Sequence, residues 1–127
     1  ERLRVSSRKD VAEALVSTEV KYRENISEYN VIRDRIKPAA GDIRILGATA
    51  LGLTYVAAGK FDATVSFANG LSAVAAGLLL IKEAGGYIYE INQKDIRSEN
   101  LALVLDSGNV IGSNANLSGS IHALLNK

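Results

Sequence analysis

The chain has 127 residues, the length of one ordinary domain, and 47% of them are apolar while 23% are charged. Fifteen basic residues against fourteen acidic ones leave a formal net charge of +1, which gives no electrostatic reason to expect nucleic acid or an anionic membrane as a partner. The absence of cysteine excludes disulfides, thiolate metal sites and a cysteine nucleophile.

The apolar runs are short. The longest, residues 73–81, spans nine residues, whereas a membrane-crossing helix needs about 20. The N-terminus is charged and has no apolar stretch of the kind found in a secretory signal. We therefore expect a cytoplasmic location and no membrane contact. The chain begins with Glu1 and contains no methionine, so we expect it to be part of a longer protein.

The first third of the chain alternates strand and helix signals. Leu3 and Val5 alternate with polar residues, which predicts a short strand, and Ser7 is a candidate cap for a turn over residues 9–13. Residues 15–19 predict a second strand. A helix is predicted over residues 21–36, because its apolar residues fall on one helical face: Tyr22, Ile26, Tyr29, Ile32 and Ile36. Pro38 closes this helix.

The middle of the chain is rich in small residues. A helix is predicted over residues 48–58, with Gly59 suited to its C-terminal cap. Residues 61–66 alternate apolar and polar side chains, which predicts a half-buried strand. A loop over residues 67–70 leads to a second alanine-rich helix, predicted over residues 71–84 and stopped by Gly85 and Gly86.

The last third predicts three more strands and a helix. Residues 87–91 and 101–105 are strand candidates, and the second is apolar throughout, which favours a central position in the sheet. Residues 110–111 predict a short last strand, and residues 117–125 a terminal helix. Strands and helices alternate without a repeat or linker, so the fold class is α/β: one domain over residues 1–127, a layered sheet with packed helices.

Residues able to carry chemistry are sparse. The one histidine, His122, lies among leucines and isoleucines on the predicted terminal helix, where a packing or surface role is the simplest interpretation. The phosphate-loop and dinucleotide-binding patterns are both missing, and no pair of acidic residues stands at metal-ligand spacing.

Two ordered stretches carry a more specific signal. Residues 44–50 read R-I-L-G-A-T-A, and Y-V-A-A-G follows at 55–59 with F-D-A at 61–63. Residues 74–77 read V-A-A-G, followed by E-A-G-G at 83–86. These stretches resemble the inositol monophosphatase family's R-x-x-G-S-A-A … Y-V-A-x-G-x-x-D-A and W-D-x-A-A-G … E-A-G-G patterns. Residues 3–19 and 110–114 also resemble the family, which includes extragenic-suppressor-like bacterial members.

The resemblance implies a fold and an activity. It implies the C-terminal subdomain of the sugar phosphatase fold in an Mg²⁺-dependent phosphate monoester hydrolase. It further implies that Thr49 and Ser66 border the substrate pocket, where many members have an acidic residue at the second position. Ala73 occupies the position of the metal-binding aspartate, with Ser72 at the preceding tryptophan. Because alanine cannot coordinate a cation, we expect no metal ligand, no catalytic residue and no hydrolysis from this chain alone.

Partners and alternatives follow from the same resemblance. We expect the missing N-terminal half to cover part of this chain, and the protein to form a homodimer; a small phosphate ester would bind only if the full protein is active. Three hypotheses stay open: the C-terminal part of an active phosphatase, a non-catalytic binding or regulatory module, and an α/β scaffold domain of unknown role.

Overall fold

The computed structural model describes residues 2–20, 26–67 and 71–127. Within them the strands are β1 Leu15–Glu19, β2 Asp42–Arg44, β3 Ala63–Ser66, β4 Tyr87–Glu90 and β5 Val110–Ser113. The helices are α1 Ile26–Val31, which continues as the π-helix Ile32–Ile36, α2 Thr49–Ala57, α3 Leu71–Glu83, α4 Leu101–Ser107 and α5 Ala115–Leu125, besides a 3₁₀ turn, Val11–Glu13. None of the helices in this part of the chain is both long and apolar enough to cross a bilayer.

The strands form one mixed sheet in the order β2-β1-β3-β5-β4. Strand β1 runs parallel to both β2 and β3, whereas β5 is antiparallel to its neighbours β3 and β4. The register of β1 and β3 sets Glu19 beside Ser66. The carboxyl ends of these two parallel strands therefore meet at one edge of the sheet, which is where ligands bind in many α/β folds.

Two apolar cores lie on the two faces of the sheet, so the domain has three layers. One core joins the sheet to α5 and the π-helix: Ala14, Val16, Ile32, Ile36, Ala63, Val65, Phe67, Ile91, Ile111, Leu117, Ile121 and Leu125. The other joins it to α2, α3 and α4: Leu53, Val56, Ala57, Phe61, Val74, Leu78, Ile81, Ala84, Ile88, Val104 and Val110. This arrangement confirms the predicted α/β class.

Residues 101–105 form a helix, so the prediction of a central strand there is wrong. The Asn100 side chain accepts a hydrogen bond from the Leu103 amide and caps α4, and Gly108, at φ 72°, ends it. Leu101 and Leu103 are 38% and 36% exposed, whereas Val104 is fully buried. An uninterrupted apolar run fits a short helix as well as a strand, so periodicity could not separate them. The central strands are β3 and β5.

Three smaller predictions also change. Residues 2–10 form no strand; the Val5 amide bonds to the Ala84 carbonyl, and the Asn114 side chain holds the carbonyls of Ser6 and Arg8. Asp10, not Ser7, caps the following turn. Strand β3 is buried on both faces because α2 covers the polar side.

The other predicted elements hold in the described residues. The first helix is observed over residues 26–36 and ends before Pro38, while the earlier part of that prediction, including Tyr22, lies outside the described residues, as do residues 68–70 of the predicted loop. Gly59 and Gly85, which follow α2 and α3, adopt φ angles of 74° and 85°, where side chains are strained.

Helix α3 packs closely on α2 because Gly77 has no side chain. A Cβ atom at Gly77 would lie 2.2 Å from Leu53 Cδ1 and 2.6 Å from Leu53 Cβ. Such contacts are too short for real atoms, so any side chain at this position would push the two helices apart.

We expect Gly77→Ala to lower the free energy of unfolding by about 1–3 kcal/mol, the usual cost of overpacking a core. Gly119→Ala on α5 is the matched control, because its Cβ meets nothing within 4 Å. That change should raise stability by about 0.5–1 kcal/mol, since alanine favours the helix. Urea denaturation measures both; a Gly77→Ala variant as stable as the original chain would contradict the close packing.

Candidate functional site

Four polar side chains lie together at the carboxyl ends of β1 and β3. Ser17 and Glu19 belong to β1, and Thr64 and Ser66 pair with them on β3. Because side chains alternate along a strand, all four lie on the sheet face covered by α2. Ser17, Thr64 and Ser66 are fully buried, and Glu19 is 5% exposed. We call these four residues the polar cluster.

The Glu19 carboxylate accepts three hydrogen bonds from groups in the described part of the chain. Its Oε2 atom accepts from the Leu46 amide at 3.0 Å and from the Ser17 hydroxyl at 2.8 Å, while Oε1 accepts from the Gly47 amide at 2.8 Å. A buried carboxylate needs such donors, because its desolvation would otherwise cost several kcal/mol. Glu19 thereby ties the turn before α2 to the end of β1.

The hydroxyl groups extend this arrangement across the strands. Thr64 Oγ1 donates to Ser17 Oγ at 3.2 Å, and Thr64 Oγ1 and Ser66 Oγ are 3.5 Å apart. A hydroxyl has one proton to donate. Geometry alone allows either hydroxyl to donate across the 3.5 Å contact; with the Thr64 proton assigned to Ser17, Ser66 is left as its donor.

Helix α2 covers the polar cluster closely, and Gly52 makes this possible. A Cβ atom at Gly52 would lie 2.7 Å from Ser17 Oγ and 2.9 Å from Thr64 Oγ1. The small residues of this helix therefore serve to bring its backbone down onto the buried hydroxyls.

The structure brings two of the predicted pocket positions next to this cluster. Ser66 is a member of it, and Thr49 begins α2 two residues after Gly47, which is bonded to Glu19. Ala73 lies in the first turn of α3, beyond residues 68–70, which are outside the described part of the chain. Ser72 in the same turn is exposed.

Glu19 is the member that sequence reasoning missed as a site residue. The signal available was an acidic residue at the end of an otherwise apolar and small-residue strand, within the stretch 15–19. An acidic residue at that position is equally consistent with an exposed strand end and with a buried site residue, and most glutamates are exposed. Its burial is decided by the turn before α2, which supplies the two amide donors.

The donor set of the polar cluster does not fit a magnesium ion. Mg²⁺ requires several hard oxygen ligands in octahedral geometry. Both oxygens of Glu19 already accept hydrogen bonds, and the remaining members are neutral hydroxyls bonded to one another. Among the described residues, no three Asp, Glu, His or Cys side chains lie close enough together to hold a metal.

His122 takes no part in this site. Its Nε2 atom contacts the Gln93 carbonyl in the loop after β4, which agrees with the packing role predicted for it. At the outer end of the sheet, an Arg44 hydrogen bond holds the pKa of Asp42 below its ordinary value, and both side chains are more than half exposed.

The fold and the site together define a class: a layered α/β domain of the sugar phosphatase type, with a buried polar cluster where two parallel strands end. A sequence model of the inositol monophosphatase family matches residues 1–127. The chain belongs to the inositol monophosphatase family.

The relatives of this chain include proteins named Nus factors as well as proteins named inositol-1-monophosphatases. The chain is 44% identical over 92 residues to the Nus factor SuhB of Pseudomonas aeruginosa, covering 68% of this chain and 34% of that protein. It is 30% identical over 128 residues to the inositol-1-monophosphatase of Rhizobium meliloti, covering 99% of this chain and 46% of that protein.

Solved structures agree. The extragenic suppressor protein suhB of Bartonella henselae superposes with a TM-score of 0.88 at 26% identity, covering 100% of this chain and 46% of that one. The family also includes an IMPase/NADP phosphatase solved with Mg²⁺ and phosphate, to which this chain is similar in fold (TM-score 0.73, 18% identity, 99% of this chain and 44% of that one). The chain thus spans about a third to a half of the length of these relatives.

We expect Gly52→Ala to destabilise the domain by about 1–3 kcal/mol and to shift the amide NMR signals of Leu46 and Gly47, because the new methyl group must displace the hydroxyls that bond Glu19. Gly119→Ala is again the matched control and should leave both signals in place. Unchanged Leu46 and Gly47 signals in Gly52→Ala would show that α2 does not press on the polar cluster.

Proposed function

We propose that this chain is the C-terminal half of a phosphate monoester hydrolase of the inositol monophosphatase family, and that it does not hydrolyse phosphate on its own. Support comes from the family match over residues 1–127, from a relative named inositol-1-monophosphatase, and above all from Ala73 at the position where the family motif has aspartate. The proposed pocket is bordered by Thr49 and Ser66.

The chemistry of the chain supports inactivity. Bound magnesium ions in multi-metal phosphatases activate water and neutralise the leaving oxygen. An alanine methyl group has no lone pair to offer such an ion, and the one carboxylate of the polar cluster has both oxygens engaged. The proposed contribution of this half is to shape a pocket edge, with the half-buried Thr49 at its border and the buried Ser66 supporting it from within the sheet.

Calorimetric titration of the chain with magnesium chloride should give a dissociation constant of about 1 mM or weaker, because residues 2–20, 26–67 and 71–127 contain no cluster of carboxylate ligands. A phosphate-release assay with inositol 1-phosphate should show no activity. Ala73→Asp should leave the chain inactive, since one ligand cannot hold a catalytic metal cluster. Magnesium-dependent hydrolysis by the unmodified chain would refute the proposal.

A chimera can show whether the expected inactivity is caused by Ala73 or by the lack of the rest of the enzyme. In it, this chain replaces the aligned segment of the Rhizobium meliloti inositol-1-monophosphatase, which it matches over 99% of its own length. The chimera should be inactive with Ala73 and should recover magnesium-dependent activity with Ala73→Asp. The matched control is Ser72→Asp, which adds the same charge one residue away. Activity of the chimera with Ala73 in place would show that this carboxylate is dispensable.

A non-catalytic module is the alternative. One specific observation favours it: the relative at 44% identity is named a Nus factor. Under this alternative the domain is kept for binding another molecule, and Ala73→Asp would restore no activity in the chimera. We also propose a cytoplasmic location, which cell fractionation can test.

The outer side of α2 and α3 is the proposed partner surface. Leu79 on α3 is 62% exposed and Leu51 on α2 is 37% exposed, while the opposite sides of both helices are buried in the core. A contiguous exposed apolar patch marks a contact surface, and we propose that these two leucines belong to one. In the longer protein we propose that the missing N-terminal half covers this surface; in the isolated chain, a second copy does so, giving a homodimer.

Sedimentation analysis should therefore show a concentration-dependent dimer for the isolated chain. Leu79→Glu should return the monomer, because burying an unpaired carboxylate at the contact costs several kcal/mol. Leu103→Glu on α4 is the control: it changes a leucine on a different helix and should leave the dimer intact. A monomer at all concentrations for the original chain would contradict the proposal.

A further inference from the structure

The two proposed pocket positions lie on different elements. Ser66 ends β3, whereas Thr49 begins α2 after the turn that contains Leu46 and Gly47. Two such positions can keep a fixed geometry only if something rigid connects them. The polar cluster supplies that connection, because each of its hydrogen bonds is buried.

The connection has a direction. Ser17 donates to the Glu19 carboxylate and Thr64 donates to Ser17, which assigns Ser66 as the donor to Thr64. The carboxylate receives the Leu46 and Gly47 amides from the other side. Hydrogen bonds to an ionised acceptor are stronger than neutral ones, and successive bonds in a chain polarise one another. A change at Ser66 is therefore transmitted to the turn before Thr49.

We propose that Glu19 is a positioning residue that holds Ser66 and the turn before α2 as one hydrogen-bonded unit, so that a change of the side chain at position 66 also moves the start of α2 at Thr49. This inference rests on the proposed function for its assignment of the pocket. The residue at position 66 decides whether the row reaches the end of β3, because an ionised carboxylate there could accept a hydrogen bond but could not donate one to Thr64.

The test uses the isolated chain without ligand, with the amide NMR signals of Leu46 and Gly47 as reporters. Ser66→Ala removes the first donor and should shift both reporters, whereas Ser66→Thr keeps a hydroxyl and should leave them nearly in place. The decisive step repeats Ser66→Ala in two further backgrounds. In Thr64→Ser the shift should persist, because the hydroxyl remains; in Thr64→Val it should fall by about fivefold or more, because the row is cut.

Glu19→Gln should move both reporters and abolish the response to Ser66→Ala. Its matched control is Glu90→Gln, which neutralises a second buried carboxylate on the same row of the sheet, bonded to the Asn92 amide. That control should leave the reporters and their response to Ser66→Ala unchanged. A general loss of stability would move the reporters in both variants.

An equal response to Ser66→Ala in the Thr64→Val and Thr64→Ser backgrounds would overturn the inference, and so would a response that survives Glu19→Gln. Neither result depends on catalysis. An inactive Ala73→Asp chimera would therefore count against the proposed function while leaving the coupling as measured, and failure of the coupling would leave the phosphatase proposal standing.

Discussion

The Glu19 carboxylate lies where two parallel strands end beneath the first turn of a helix, out of reach of water. A charge in that place persists only if hydrogen-bond donors surround it, and the described residues supply the backbone amides of Leu46 and Gly47 and the Ser17 hydroxyl. Satisfying this one group fixes the turn before α2. The turn in turn sets where α2 begins and hence where Thr49 stands relative to Ser66.

Close packing by glycine completes the same arrangement. Gly52 lets α2 descend onto the buried hydroxyls, and Gly77 lets α3 descend onto α2 at Leu53. Both glycines lie in or beside the stretches that carry the family resemblance. Those stretches therefore contain the residues that allow the helices to pack closely. A scaffold can keep these residues while its chemistry changes, which is how a clear family membership coexists here with alanine at position 73.

The polar cluster differs in character from a metal site. Its single carboxylate is directed inward to amides, and its other members are hydroxyls that donate to one another. Such a row joins the ends of two strands to the turn before α2, whereas a metal site needs several carboxylate oxygens free to converge on one point. The described polar cluster therefore has the character of a structural hydrogen-bond network and not of a cation site.

Much of the fold followed from the sequence because local signals and burial agreed. Strand β1, helices α2 and α3 with their glycine ends at Gly59 and Gly85, and the family motifs were all predictable. Residues 101–105 were not, since an unbroken apolar run has no period and only the cap at Asn100 and the turn at Gly108 make it a helix. Glu19 was missed for a related reason: its position in the chain was visible, but its burial depends on amides 27 and 28 residues away that only tertiary structure brings to it. The family, the small residues used for close packing and the alanine at position 73 could be read from the sequence alone, because each depends only on residue type and spacing. The tertiary structure decided which polar groups meet, because hydrogen bonding between strands and turns depends on register and not on local sequence.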